Sequence, residues 1–178
     1  MCLNKKIFFL LFFSLSFSNI FSGTPYTRIC ELDQKISQAT NKFPYYVDGK
    51  KYKINVSLIK AIIHQETGGN PKAVSPVGAR GLMQLMPQTA ELLKCDYSDI
   101  FNSDINIHCG TKFLAALLTY TKGDLIRTIS GYNGGSHSTE KSLLFGGRIA
   151  DNPETKNYVK NVLLLFEKYK NKNTCQPK

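Results

Sequence analysis

One acid stands apart in "AIIHQETGGNP" (Ala61–Pro71). Glu66 follows Ile59, Ile62 and Ile63 by seven, four and three residues. On a helix those spacings put its carboxyl on the isoleucine face. A carboxylate is costly to bury without a partner, and apolar surroundings raise its pKa. A carboxyl that keeps its proton near neutral pH can give it to a leaving oxygen. Gly68 and Gly69 then remove side-chain bulk and permit positive φ, which opens an approach for a polymer. The plainer alternative is a helix-terminal acid in contact with water or a lysine. That alternative places a negative charge at the unfavourable end of the helix dipole.

Two further stretches carry groups suited to a sugar. "NPKAVSPVGARGLMQLMP" (Asn70–Pro87) holds Gly78, Gly81 and three prolines, which predicts an irregular path rather than a regular element. It presents Met83, Gln84 and Met86. The Gln84 amide both donates and accepts, as an acetamido group requires, and at least one of the methionines is expected to be core filling. "GYNGG" (Gly131–Gly135) offers Tyr132 and Asn133, an aromatic face and an amide. The alternative there is a helix C-cap with Asn133 or Gly134 in the left-handed region.

These groups need a scaffold, and the pattern predicts a helical one. Asn55 is placed to cap "VSLIKAIIHQE", whose Leu58, Ile59, Ile62 and Ile63 keep a helical period. Pro87 opens "PQTAELLK". "DINIHCGTKFLAALLTYTKG" ends at Gly123, and Asp124 is placed to cap "LIRTISGYN". Asn152 and Pro153 start "ETKNYVKNVLLLFEKYK", with an apolar stripe at Tyr158, Val159, Val162, Leu163 and Phe166. Gly134 to Asp151, with four glycines, reads as a long surface loop. "YVDGKKYK" (Tyr46–Lys53) reads as a small hairpin turning at Asp48–Gly49, with helix on either side. The expected class is mainly α, in one domain.

Composition narrows the setting. Lys5 and Lys6 precede an apolar run, Ile7–Phe21, as in a secretory leader with cleavage near Ser22. The expected division is leader 1–22 and domain 23–178, acting in the periplasm; an uncleaved anchor is the alternative. Residues 1–22 hold two lysines and no acid, so the net charge falls from +10 to +8 on their removal. A basic exported chain suits an anionic wall or membrane surface. Its lysines lack the clustering with aromatics that marks a nucleic-acid surface. Cys30, Cys95, Cys109 and Cys175 form an even set, as disulfides require. Of three connectivities, Cys95–Cys109 with Cys30–Cys175 is favoured. No C-x-x-C spacing supports zinc. His64 and His108 read as packing or surface residues and His137 as a loop residue.

Ala61–Ala90 resembles the signature of lytic transglycosylases of the soluble, goose-lysozyme-like type. "NIHCGTKFL" (Asn106–Leu114), "GYNGG" and "ETKNYVKNV" (Glu154–Val162) match further motifs in the family order. The resemblance implies a lysozyme-like α domain that cuts the MurNAc–GlcNAc β-1,4 bond of peptidoglycan, with Glu66 as the catalytic residue. It implies that Ser75, Met83, Gln84, Tyr132, Asn133 and Tyr158 line the sugar cleft and that Glu154 orients neighbours there. Tyr132 and Tyr158 are expected to hold the acid or the acetamido group. Thr67 stands where serine is usual, Gly69 where an aromatic is, and Gly131 where alanine is. Glycan strands are the implied partner, with no metal or cofactor, and the chain is expected to work as a monomer. A hydrolytic muramidase and a non-catalytic wall-binding scaffold are the alternatives. Gly146–Val159 is reminiscent of members that serve secretion or conjugation machines, whose components would be further partners.

Overall fold

The computed structural model describes residues 23–144, 153–171 and 175, with the backbone alone for 135–144. The leader-like run and its cleavage point lie outside the described residues. The elements in chain order are α1 (Pro25–Cys30), α2 (Asp33–Lys42), β1 (Tyr45–Val47), β2 (Lys50–Tyr52), α3 (Val56–Thr67), α4 (Pro87–Leu92), α5 (Ser103–Tyr120), α6 (Leu125–Leu144) and α7 (Pro153–Lys170). The mainly helical class and the hairpin are as expected. Among the described residues no helix is long and apolar enough to cross a membrane.

α3 and α5 are the buried elements. Asn55 caps α3 by accepting from Ser57 N–H at 2.9 Å, and Ile59, Ile62 and Ile63 below it are fully buried. Each such side chain contributes about 1.5–3 kcal/mol through removal from water. α7 lies along α3, with Val162 and Phe166 in the shared core. α5 is buried on most of its circumference, from Ile107 to Leu118. Lys60, also buried, is satisfied by an ion pair to Asp33 and a hydrogen bond to Cys175 Sγ at 3.3 Å, the pairing that a buried charge requires.

β1 and β2 pair antiparallel, Tyr45 opposite Tyr52 and Val47 opposite Lys50. Asp48 and Gly49 both have positive φ, 47° and 76°, as a two-residue hairpin turn of the right twist demands.

Both favoured disulfides are present, with Cα separations of 5.4 Å for Cys30–Cys175 and 6.1 Å for Cys95–Cys109. Cys30–Cys175 closes 145 residues and ties α1 to the chain beyond α7. In the chain-entropy view this constrains the unfolded state by about 5 kcal/mol.

One expectation of the fold needs correction. The long loop from Gly134 is helix as far as Leu144, so α6 runs 20 residues and His137 belongs to it. Gly134 and Gly135 do not end it, because the following residues, Ser136 to Leu144, contain no glycine or proline and include the helix formers Glu140, Lys141, Leu143 and Leu144. The rest of that segment, 145–152, is outside the described residues, as is the proposed cap Asn152. α1 lies where the apolar periodicity gives no signal. It is one and a half turns long, with Thr24 as its side-chain cap and Pro25 in its first turn.

Candidate active site

Glu66 sits in the last turn of α3, which stops at once: Gly68 takes the left-handed conformation, φ 58°, and its N–H returns to His64 O at 3.0 Å. The Glu66 carboxyl keeps some exposure but is enclosed enough for desolvation to dominate, and its pKa is pushed up to about 7. Tyr158, buried on α7, donates its hydroxyl to Glu66 Oε1 at 2.5 Å. That bond favours the charged form and opposes the rise. Burial and the Glu66 charge hold the Tyr158 phenol well above its usual value, so it remains a donor. Tyr132 of α6 is buried too, and its phenol is raised by burial and by the charge on Glu66. It donates to Met83 O at 2.9 Å. α3, α6 and α7 thus bring one acid and two phenols together with the carbonyl of Met83.

The segment between α3 and α4 is irregular, as its glycines and prolines predict, and it is pinned from three sides. Thr67 Oγ1 reaches Leu82 O at 3.0 Å and Ile63 O at 3.2 Å. Asn106, fully buried on α5, accepts from Met83 N–H at 2.8 Å and donates to Arg80 O at 3.0 Å and Ile100 O at 2.9 Å. Gly81, at φ 75°, is glycine of necessity: a Cβ there would lie 2.1 Å from Asn106 Nδ2. In the sequence Asn106 stands out only as the first residue of "NIHCGTKFL" and the single amide of α5.

The other expected site residues fall around this centre in different ways. Met83 is a correction: its side chain is fully buried and packs in the core, where it lines no surface. A Cβ on Gly110 of α5 would come within 2.4 Å of Met83 Sδ, so Gly110 makes the space that Met83 fills. What Met83 contributes is its backbone. Ser75 accepts from Ala79 N–H at 2.9 Å through its hydroxyl, within its own turn. Gln84 holds a left-handed φ of 47° and donates to Gly81 O at 3.0 Å and Ala73 O at 3.3 Å. Both side chains shape the loop in this structure. Asn133 Oδ1 accepts from the buried Thr155 hydroxyl at 2.9 Å, which joins α6 to α7. Glu154 is exposed in the first turn of α7, one turn before Tyr158.

Gly68 and Gly69 also serve a purpose other than the expected one. The space beside them is occupied by α1. A Cβ on Gly69 would meet Arg28 Cβ at 3.1 Å and Ile29 Cγ1 at 3.2 Å, and Arg28 donates to Gly68 O at 3.1 and 2.9 Å. The glycines admit the chain's own helix rather than a polymer, and Arg28 brings a cation to the C-terminal end of α3, where the dipole favours it. His64 packs between Tyr26 and Tyr169, with Nδ1 2.9 Å from Tyr169 Oη. Burial, then Lys168 and Arg28, lower its pKa and keep it neutral. His108 lies edge-on to Phe43. It also borders a cavity of about 330 Å³ beside Cys95–Cys109 that includes none of the residues around Glu66.

The model of the family described as "Transglycosylase SLT domain" matches residues 46–147. The chain belongs to that family. Among curated SLT relatives, the soluble lytic murein transglycosylase of Escherichia coli K12 is 33% identical over 157 residues, covering 78% of this chain and 24% of the relative. The transglycosylase of Enterobacteria phage PRD1 is 32% identical over 119 residues, 65% of this chain and 40% of the relative. Among solved structures, the 70 kDa soluble lytic transglycosylase of E. coli superposes with a TM-score of 0.62 at 27% identity, covering 77% of this chain and 24% of that one. This chain therefore spans about a quarter of the length of its E. coli relative. The likeness bears out the lysozyme-like fold.

Proposed function

We propose that this SLT domain is a peptidoglycan lytic transglycosylase. The observation that carries the reading is a single enclosed acid, Glu66, with a pKa near 7 and a phenol on its Oε1. Enzymes that use two carboxylates set one against the other. Among the described residues no second carboxylate contributes to the Glu66 shift; desolvation raises it and Tyr158 lowers it. One acid suffices where the substrate supplies the rest. Glu66 gives its proton to the oxygen between MurNAc C1 and GlcNAc C4, and that C1–O bond breaks. The MurNAc N-acetyl carbonyl stabilises the cationic C1. Glu66, now a carboxylate steadied by Tyr158, takes the proton of the C6 hydroxyl as O6 bonds to C1. The acid is regenerated and the product is a 1,6-anhydro sugar, with no water consumed. Proton, base and nucleophile all come from Glu66 and the glycan, so the reaction calls on no metal or cofactor.

Met83 O, fixed by Tyr132, and the amides of Gln84 and Asn133 are the groups proposed to meet the acetamido and hydroxyl edges of the strand, with Ser75 and Glu154 at the margins. The leader-like Ile7–Phe21 and the two disulfides support action outside the cytoplasm. The wider role we infer is local opening of the wall for a secretion or conjugation machine, supported by the Gly146–Val159 motif.

Product analysis tests the chemistry. Digestion of purified sacculi is expected to release muropeptides ending in 1,6-anhydroMurNAc, each lighter by one water than the reducing product. Reducing MurNAc ends alone would make the chain a hydrolytic muramidase, and no release at all a wall-binding scaffold.

A further inference from the structure

The hairpin lies at the end of α3 remote from Glu66, about 15 Å along the helix by its rise of 1.5 Å per residue. One of its faces is seated on the turn between α5 and α6: Tyr45 and Val47 come within 3.6 Å of where a Cβ on Gly123 would stand. Tyr46 N–H anchors it to Thr119 Oγ1 at 3.1 Å. Side chains alternate along a strand, so Tyr46 and its cross-strand partner Lys51 share the outward face. Tyr52 stacks on Tyr45 at 5.4 Å. Tyr46, Tyr52 and Tyr120 are 47%, 41% and 57% exposed. Lys50, Lys51, Lys53 and Lys122 stand exposed around them.

The acids nearby are already engaged. Asp48 faces Lys122 at 3.9 Å, and Asp124 faces Arg127 at 3.4 Å. Among the described residues no carboxylate pairs with Lys50, Lys51 or Lys53. The hairpin thus carries an exposed phenol on each face, Tyr46 outward and Tyr52 on the Tyr45 side, together with an uncompensated positive charge. It is also convex. Gly49, at the turn, has nothing within 4 Å of where its Cβ would be. Sites for a sugar or peptide are concave, whereas a projecting tip of tyrosine and lysine suits a broad anionic plane. Tyrosine rings settle at the headgroup level of a bilayer, and long lysine stems reach over apolar surface to the phosphates.

We propose that the Tyr46–Lys53 hairpin, with Tyr120 and Lys122, docks the protein on an anionic phospholipid surface. Glu66, at the other end of α3, then points its end of the domain away from the bilayer. The proposal is independent of the chemistry assigned to Glu66.

Co-sedimentation with lipid vesicles tests it. Residues 23–178 are the form to use, because the leader-like run would bind lipid itself and the described core draws on nothing before Tyr26. Partition is expected into phosphatidylcholine vesicles containing about a third phosphatidylglycerol, not into phosphatidylcholine alone, and is expected to fall as salt rises. Each lysine at such a surface is worth about fivefold in partition, so a Lys50→Gln, Lys51→Gln, Lys53→Gln variant weakens it about a hundredfold. That variant should keep the thermal unfolding and the sacculus turnover of the parent. Tyr46→Ser, with all lysines kept, should weaken partition while preserving its salt dependence. Failure to bind phosphatidylglycerol vesicles, or equal binding by the triple variant, would overturn the proposal. So would a triple variant that still binds vesicles but no longer binds sacculi, which would make the tip a wall-binding surface.

Discussion

Glu66→Gln is expected to lose about a hundredfold to ten-thousandfold in turnover of sacculi, the range of a general acid's contribution, with its circular dichroism unchanged. The amide is isosteric and still accepts from Tyr158, so the fold is retained while the transferable proton is gone. The same substitution should make the protein more stable at alkaline pH. The folded pKa of Glu66, about 7, lies above the ordinary value of 4.5 that the unfolded chain shows. Below pH 4.5 the carboxyl is neutral in both states and makes no difference. Between the two values the unfolded chain releases a proton that the native state keeps, so stability falls as pH rises. Above pH 7 the penalty is complete, at most about 3.5 kcal/mol for a shift of that size. Glutamine does not ionise and escapes the penalty. Urea unfolding should therefore show the variant ahead of the parent at pH 8 and level with it at pH 4. Retained turnover would remove Glu66 from the chemistry, and equal stabilities at pH 8 would remove its dry environment.

Asn106→Ala is expected to destabilise the fold by about 3–5 kcal/mol and to depress turnover in whatever remains folded. Its amide is fully buried and serves three backbone groups, Met83 N–H, Arg80 O and Ile100 O. Each one left unpaired costs about 1–3 kcal/mol, and water entering the truncated site recovers part of that. The functional loss follows from what the amide holds still. Asn106 grips Met83 at its N–H and Tyr132 grips it at its carbonyl. Releasing the first grip frees the strap that Tyr132 depends on. Asn106→Asp keeps the acceptor for Met83 N–H but sets a carboxylate oxygen against two carbonyls, so it should be at least as damaging at pH 7. Urea denaturation together with sacculus digestion decides the matter. An alanine variant within about 0.5 kcal/mol of the parent, the range of an ordinary surface change, would show that the clamp is dispensable.

What was legible in the sequence followed from local periodicity. The isoleucine spacing located Glu66 on a buried stripe, the α7 stripe located Tyr158, and Asn55 and Asp124 cap helices as expected. What was hidden depended on pairings far apart in the chain. Gly68 and Gly69 looked like room for a polymer because their neighbour, Arg28, precedes them by 40 residues. Met83 looked like a cleft residue because the hollow that receives it belongs to Gly110, on another helix. Asn106 was the single amide of α5, and only the returning loop reveals its three partners. Gly134 and Gly135 resembled a helix end because two glycines weaken a helix, yet α6 continues through them.

The central claim is that Glu66 holds its proton near neutral pH because it is enclosed. Following the Glu66 side-chain carboxyl carbon by NMR across pH measures this directly. The midpoint should lie near 7, and higher still in Tyr158→Phe, where the hydrogen bond that favours the charged form is gone. A midpoint near 4.5, unmoved by that substitution, would contradict the account.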